Sequence, residues 1–144
     1  MKKKESEFLT HEEIEALLKM PDRRTLEGKR DYALLLTMLT TGLRKAELCI
    51  LKGTDIKTYR NRLVIDITGK GQRHRRIGLK NDVYGAIAAY TKASGNGSPD
   101  HSIFYTLGKH GLCKRQPLTH KAVDCMIKKY SKKALIRKRV TPHT

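Results

Sequence analysis

The segment from Thr25 to Gly42 places the tightest limit on how this chain can fold. Between those two residues the apolar side chains cover most sides of a helix instead of a single stripe. Such a helix has to be surrounded by other elements, because it has no wide polar face to turn towards water. Gly42 is a natural end point, since glycine readily adopts the left-handed conformation that closes many helices. The sequence therefore predicts a mainly helical domain built around one central helix.

The sequence on either side of this segment predicts further helices that can pack around the central one. Thr10 and Glu13 form a capping box, and the apolar residues after them lie on one face of a short helix that ends near Pro21. Another helix is predicted over about residues 45–51. Thr119 caps a last long helix whose lysines lie mostly outward. Its inward positions are Val123, Met126, Ile127 and Tyr130.

The middle of the chain predicts a long, basic β-hairpin. Residues 63–67 are rich in β-branched side chains, residues 68–71 have turn chemistry, and residues 75–79 can return as the partner strand. Asn81 or Asp82 can then cap another helix.

A short strand or extended segment is also predicted over residues 102–105. With 144 residues, the chain is long enough for one domain of ordinary size and too short for two. The predicted fold class is α+β, mainly α, with a small antiparallel hairpin or sheet. The predicted single domain covers residues 1–144.

The basic residues are concentrated in the second part of the chain. Overall, 31 lysines and arginines stand against 14 acidic residues, for a formal net charge of +17. Residues 57–144 hold 20 of the basic and only 4 of the acidic side chains. An excess of this size favours a polyanionic partner, with nucleic acid first and an anionic membrane surface second.

Several other classes of protein are disfavoured. No apolar run approaches the roughly 20 residues that span a bilayer, and the N-terminal lysines are followed by glutamates instead of an apolar signal segment. The three cysteines lack the close pairing of a zinc or redox motif, and the six histidines show no ligand spacing. We therefore expect a soluble intracellular protein with reduced thiols, no metal, no cofactor and no membrane partner.

An arginine stands directly after the stop of the central helix, in the segment Thr-Gly-Leu-Arg-Lys-Ala-Glu-Leu of residues 41–48. A guanidinium held there by rigid backbone can direct its planar fork at a phosphate. Taken alone, Arg44 can equally be a solvated or helix-capping charge.

The tip of the predicted hairpin, residues 68–76, is rich in glycine and basic residues. It does not match the phosphate loop of nucleotide-binding proteins, because Val64 stands where the first glycine is required and Gly71 where a serine or threonine should follow the lysine. Its basic side chains can press against a nucleic-acid backbone, or they can form a solvated loop. They are Lys70, Arg73, Arg75 and Arg76.

Three short motifs follow one another along the chain. They are Thr41-Gly-Leu-Arg-x-x-Glu-Leu48, Gly-Lys-Gly71 in a hairpin closed by Arg76-Ile-Gly-Leu79, and Val140-Thr-Pro-His143. Together they resemble the catalytic domain of tyrosine recombinases, the phage-integrase family, over nearly the whole chain. The resemblance implies the fold of these DNA breaking and rejoining enzymes. It also implies site-specific recombination or integration through a 3′-phosphotyrosine intermediate.

The resemblance further implies roles for individual residues. Arg44 matches the first phosphate-clamping arginine, Lys70 the hairpin lysine that protonates the leaving 5′-oxygen, and His143 the histidine that aids proton transfer at the nucleophile. Glu47 matches a supporting acidic position, more structural than chemical. The energy of the broken bond is kept in the phosphotyrosine, so the reaction implies no metal and no nucleotide.

The sequence departs from the family's pattern at its end. Only Thr144 follows His143, so the second arginine, the downstream histidine or tryptophan position and the nucleophilic tyrosine have no counterpart, and none of the six tyrosines is assigned as the nucleophile. We expect this polypeptide as given to be an incomplete catalytic domain that cannot cleave DNA. A covalent adduct with a suicide substrate would contradict this. No separate N-terminal core-binding domain is expected.

Other basic residues are candidates for DNA contact. His120 and Lys121, at the start of the last helix, resemble the family helix that approaches the major groove, and each can equally be an exposed cap residue. Lys114 and Arg115, like residues 137–139, are expected to bind phosphates or to be solvated.

The leading hypothesis is therefore a site-specific recombinase or integrase that acts on double-stranded DNA. A non-catalytic duplex-DNA-binding module is the alternative, and a basic RNA-associated protein is a weaker third. The resemblance implies homotetramers on DNA for full-length members, and we expect this chain on its own to be a monomer. It also implies a cytoplasmic, nucleoid-associated protein encoded by a bacterium or phage.

Overall fold

The computed structural model describes residues 10–68, 74–95, 101–107 and 113–134 of the chain. Within these residues it contains α-helices, one short 3₁₀ turn and two small antiparallel sheets. The helices are α1 (His11–Leu18), α2 (Leu26–Thr41), α3 (Lys45–Ile50), α4 (Asn81–Ser94) and α5 (His120–Lys133). The strands are β1 (Ile56–Tyr59), β2 (Arg62–Thr68), β3 (His74–Gly78), β4 (Tyr105–Leu107) and β5 (Cys113–Pro117). The predicted mainly helical α+β fold class is confirmed.

Helix α2 forms the centre of the core, as predicted. The Thr25 side chain caps it by accepting the backbone N–H of Gly28, and Gly42 ends it with a left-handed φ of 71°. Its buried positions lie on several sides of the helix, which explains why the sequence there lacks a wide polar face. They include Ala33, Leu34, Leu35, Leu36 and Met38.

The other helices pack their apolar faces around this centre. The capping box of α1 is present, with Thr10 and Glu13 each accepting the other's backbone N–H. All four inward positions predicted for α5 are buried. Helix α4 contributes Tyr90, which is fully buried and stacks on Phe104 with ring centroids 6.2 Å apart. No helix in the described part of the chain is long and apolar enough to cross a membrane.

The first sheet has the order β1–β2–β3. The predicted hairpin is confirmed as β2 and β3, but β1 was not predicted, and its turn into β2 uses Arg60 and Asn61 at positive φ. Along β2, Ile65 pairs with Ile77 of β3 and faces the core. Because successive residues of a strand point to opposite sides, Asp66 and Arg76 lie on the outer face.

The second sheet pairs β4 with β5. Part of the segment predicted over residues 102–105 is extended, since Ser102 bridges to Lys52 and the backbone N–H of Ile103 donates to the Leu51 carbonyl. The strand itself begins only at Tyr105. Strand β5 has no β-branched residue, so the sequence showed no strand signal there.

The predicted cap of α4 is wrong. Neither Asn81 nor Asp82 is the N-cap residue; the helix begins one position earlier, with Lys80 as an extended N-cap that makes no side-chain cap. Leu79, the residue before this N-cap, is buried in the core, so packing sets the start of the helix. The Asp82 carboxylate instead accepts the backbone N–H of Val83 within the first turn.

Candidate functional site

Arg44 lies at the junction between the central helix and α3. Gly42 turns the chain, Leu43 is fully buried, and Arg44 follows as the exposed, extended N-cap of α3. Burial of Leu43 holds the backbone at this point, so the arginine side chain projects from a fixed origin. Among the residues that the structure describes, the Arg44 guanidinium has no hydrogen-bond or ion-pair partner. It is therefore available to an external anion.

Glu47 joins this junction to the β-sheet. One oxygen of its carboxylate, Oε1, accepts the backbone N–H of Arg44 at 2.8 Å. The other, Oε2, lies 2.7 Å from Nη1 of Arg75 on β3. The Glu47 side chain is 17% exposed, whereas that of Arg75 is 44% exposed. The acidic position expected to support Arg44 thus holds its backbone and also contacts strand β3.

Lys45 ties the same junction to α5. Its Nζ lies 3.0 Å and 2.9 Å from the two carboxylate oxygens of Asp124. Asp124 is one turn beyond the start of α5, where His120 and Lys121 are both exposed. This ion pair therefore brings the first turn of α3 against the first turns of α5. Neither member was singled out from the sequence, because the two are 79 positions apart.

Arg76 lies on the opposite face of the sheet from Arg75. Its guanidinium makes a two-point ion pair with Asp66, at 2.7 Å and 3.0 Å, and its centre is 4.0 Å from the ring centroid of Tyr59. Lys57 and His74 are 3.8 Å and 3.5 Å from the same carboxylate. This cluster was not predicted from the sequence. The feature of the sequence that could have indicated it is Asp66, the single acidic residue of β2, which alternates with the core-facing β-branched residues.

The cluster has a clear electrostatic consequence. The hydrogen-bonded guanidinium of Arg76 lowers the pKa of Asp66 to about 2, although partial burial acts in the opposite direction. Asp66 in turn raises the pKa of Arg76. At neutral pH both groups are charged, and this arginine is less free to bind an external phosphate than Arg44 is.

The structure describes only part of the predicted site. It brings together Arg44, Glu47 and Arg75, it places Arg76 on the far side of the sheet, and it leaves His120 and Lys121 exposed at the start of α5. Of the remaining predicted positions, Lys70, Arg73 and His143 lie outside the described residues. Lys114 and Arg115 lie in β5, where only the backbone is described.

Comparison with known proteins identifies the family. The model of the phage integrase family matches residues 7–144. The chain belongs to the phage integrase family. It is 28% identical, over 134 residues, to a tyrosine recombinase of Synechococcus elongatus, which covers 93% of this chain and 41% of that protein. It is 30% identical, over 144 residues, to the tyrosine recombinase XerD of Staphylococcus aureus, covering 99% of this chain and 47% of XerD. The chain thus spans less than half the length of these relatives.

Solved structures of recombinases share the fold of this family member. The XerH site-specific recombinase bound to its palindromic difH substrate superposes with a TM-score of 0.72 at 22% identity, over 94% of this chain and 38% of XerH. The XerA recombinase gives a TM-score of 0.70 at 23% identity, over 94% of this chain and 46% of XerA. The predicted tyrosine-recombinase fold is confirmed.

Proposed function

We propose that this integrase-family chain supplies the duplex-DNA-binding and phosphate-clamping part of a site-specific recombinase. The whole protein would cleave and rejoin DNA strands through a 3′-phosphotyrosine intermediate. The observation that carries the proposal is that the Arg44 guanidinium, which projects from a buried, hydrogen-bonded junction, has no ion-pair partner within the described part of the chain. Membership of the family supports the reaction class.

The role of Arg44 follows from the charge that develops during phosphoryl transfer. Attack on a phosphodiester concentrates negative charge on the non-bridging oxygens, so a cation already held in place stabilises the transition state most. A guanidinium can bind two such oxygens at once. Because the Arg44 backbone is held by Glu47 and by burial of Leu43, only the side chain has to be ordered when the phosphate arrives.

Lys70 and His143 are proposed to move the protons of the reaction. Lys70 would protonate the 5′-oxygen as the phosphorus–oxygen bond breaks, which avoids expelling an alkoxide. His143 would assist proton transfer at the attacking tyrosine hydroxyl. The phosphate ester then passes to the tyrosine, and attack by a free 5′-hydroxyl reverses the step. These two roles rest on the motifs that contain the residues.

Duplex DNA is the proposed partner. The positive charge of residues 57–144 complements a phosphate backbone. His120 and Lys121 are exposed one turn before the Lys45–Asp124 ion pair, so DNA bound at Arg44 can also reach the start of α5. Arg73, Lys114 and Arg115 would add phosphate contacts. We also propose that the full-length protein assembles as a homotetramer on DNA. It would be a cytoplasmic protein encoded by a bacterium or phage.

Binding to duplex DNA tests the role of Arg44. We expect Arg44→Ala to weaken binding by about tenfold, the cost of one charge-assisted contact to phosphate. We also expect it to reduce the dependence of log affinity on log salt by about 0.9. The measurement is fluorescence anisotropy of a labelled duplex, titrated at several salt concentrations.

Arg24→Ala is the matched control for the loss of one positive charge. Arg24 is exposed and pairs with Asp22 in the loop before α2, away from the α3 junction. It should change affinity by less than about twofold. Equal effects of the two substitutions would show that only net charge matters and would overturn the role of Arg44.

A further inference from the structure

Arg75 was expected to contact DNA, but its guanidinium is directed at Glu47 instead. It lies opposite Ile67 in the register of β2 and β3, on the face of the sheet that packs against the core. From there it reaches across to α3, with Nη1 2.7 Å from the Glu47 carboxylate. Arg75 therefore connects the hairpin to the junction that carries Arg44.

We propose that Arg75 is a positioning residue that acts through Glu47 to hold Arg44 in place for a DNA phosphate. The inference rests on the proposed function. It adds a role for a side chain that does not itself touch the DNA. The β2–β3 hairpin and the start of α3 are then coupled by one carboxylate.

The geometry requires a carboxylate at position 47. Its two oxygens serve two different elements, Oε1 the backbone of Arg44 and Oε2 the guanidinium of Arg75. An amide has one acceptor oxygen, and its nitrogen can only donate. Glutamine at this position could therefore retain one of the two contacts and would lose the other.

Charge supports the same assignment. Glu47 is mostly shielded from water, with its side chain 17% exposed, and Arg75 compensates its charge. A guanidinium neutralised in this way attracts a phosphate less strongly than that of Arg44, which has no partner among the residues that the structure describes. On this view Arg75 contributes to DNA binding through Arg44.

Replacing Glu47 separates the two possible roles, because they predict effects of opposite sign. If Arg75 acts through Glu47, Glu47→Gln loosens the junction and weakens DNA binding by about threefold to tenfold. If Arg75 binds phosphate directly, the same substitution frees its charge and strengthens binding. Anisotropy with the labelled duplex measures the difference, and stronger binding would overturn the proposal.

A double-mutant cycle gives a second, independent test. We expect Arg75→Ala to weaken binding by about threefold to tenfold in the native background, but by less than about twofold when Arg44 is already alanine. Arg75→Lys should recover part of the loss, since a lysine can still pair with Glu47. Fully multiplicative effects of the Arg44 and Arg75 substitutions would overturn the proposal.

Arg76→Ala is the matched control for this cycle. Arg76 is the next residue of the same strand and also forms an ion pair, but on the other face of the sheet. Any effect of its replacement on affinity should multiply with that of Arg44→Ala. If the two were coupled as strongly as Arg75 and Arg44, the coupling would reflect general loosening of the sheet and not a specific link.

Amide hydrogen exchange at Arg44 tests the positioning without DNA. The Arg44 N–H donates to Glu47, so its exchange should accelerate by about threefold or more in Arg75→Ala and stay within about twofold in Arg76→Ala. Equal exchange in both variants would contradict the inference. If Arg44→Ala fails to weaken DNA binding while the exchange result holds, the proposed function fails and the positioning of Arg44 stands.

Discussion

Asp66 shows how one side chain can link folding to pH. In the described part of the chain, its carboxylate is the only acidic group within ion-pair distance of Arg76, Lys57 and His74. Since its pKa is lowered to about 2, it stays ionised in the folded protein under conditions where an unfolded aspartate, with a pKa of about 3.9, is protonated. Folding is thus favoured by this group above pH ~4, and that contribution is lost as the pH falls from about 4 to about 2.

The resulting prediction concerns acid unfolding. The midpoint of thermal unfolding should be lower for Asp66→Asn than for the native protein at pH 6, and the difference should shrink between pH 4 and pH 2. Thermal unfolding followed by circular dichroism at each pH measures it. If the difference between the two midpoints stayed constant from pH 4 to pH 2, Asp66 would not be the source of this pH dependence.

At the scale of an element, Gly28 decides how the loop after α1 meets α2. A β-carbon at this position would lie 1.7 Å from the carbonyl oxygen of Asp22, whereas one at Gly85 of α4 would meet nothing within 4 Å. The Asp22 carbonyl is held in place, because it accepts both the backbone N–H and the hydroxyl of Thr25. The loop therefore cannot easily move away.

The two glycines make a matched pair for measurement. Gly28→Ala should lower the free energy of unfolding by about 1–3 kcal/mol through overpacking. Gly85→Ala should raise it by about 0.5–1 kcal/mol, because alanine is the better helix former. Urea denaturation of both variants tests this, and a stable Gly28→Ala protein would mean that the loop can yield.

At the scale of the whole molecule, a buried polar network joins distant parts of the chain. The Tyr130 hydroxyl of α5 donates to Asp31 of α2 at 2.5 Å, across 99 positions of sequence. Arg30 pairs with the other carboxylate oxygen and donates to the Tyr105 carbonyl of β4. Burial, together with Asp31, raises the pKa of Tyr130, so its hydroxyl stays protonated as a donor.

Removing this hydroxyl should cost stability. Tyr130→Phe leaves an oxygen of the 1%-exposed Asp31 without its donor, for an expected loss of about 1.5–3 kcal/mol in the free energy of unfolding. Tyr84→Phe is the control, because Tyr84 is 42% exposed and should change stability by less than about 0.5 kcal/mol. Urea denaturation compares them, and equal losses would show that the network adds nothing specific.

Local signals in the sequence were sufficient for most of the helices and for the family. The capping box at Thr10, the stop at Gly42 and the cap at Thr119 act between residues a few positions apart, so they could be recognised without tertiary information. The three motifs around Arg44, Lys70 and His143 were equally readable, because each is contiguous in the sequence. The confirmed helical fold and family membership rest on such short-range patterns.

Contacts between distant residues required the folded molecule. Strand β5 has no strand propensity and exists because β4 lies beside it. Nothing near Arg75 or Arg76 in the sequence indicated that one would pair with Glu47 and the other with Asp66; the alternation of the strand separates them. The sequence therefore determined which chemical groups are present and where helices α1, α2 and α5 begin, whereas packing set the start of α4. Packing decided that Arg75 and Arg76 are paired while Arg44 has no ion-pair partner among the described residues, because an ion pair depends on distances that only the fold sets.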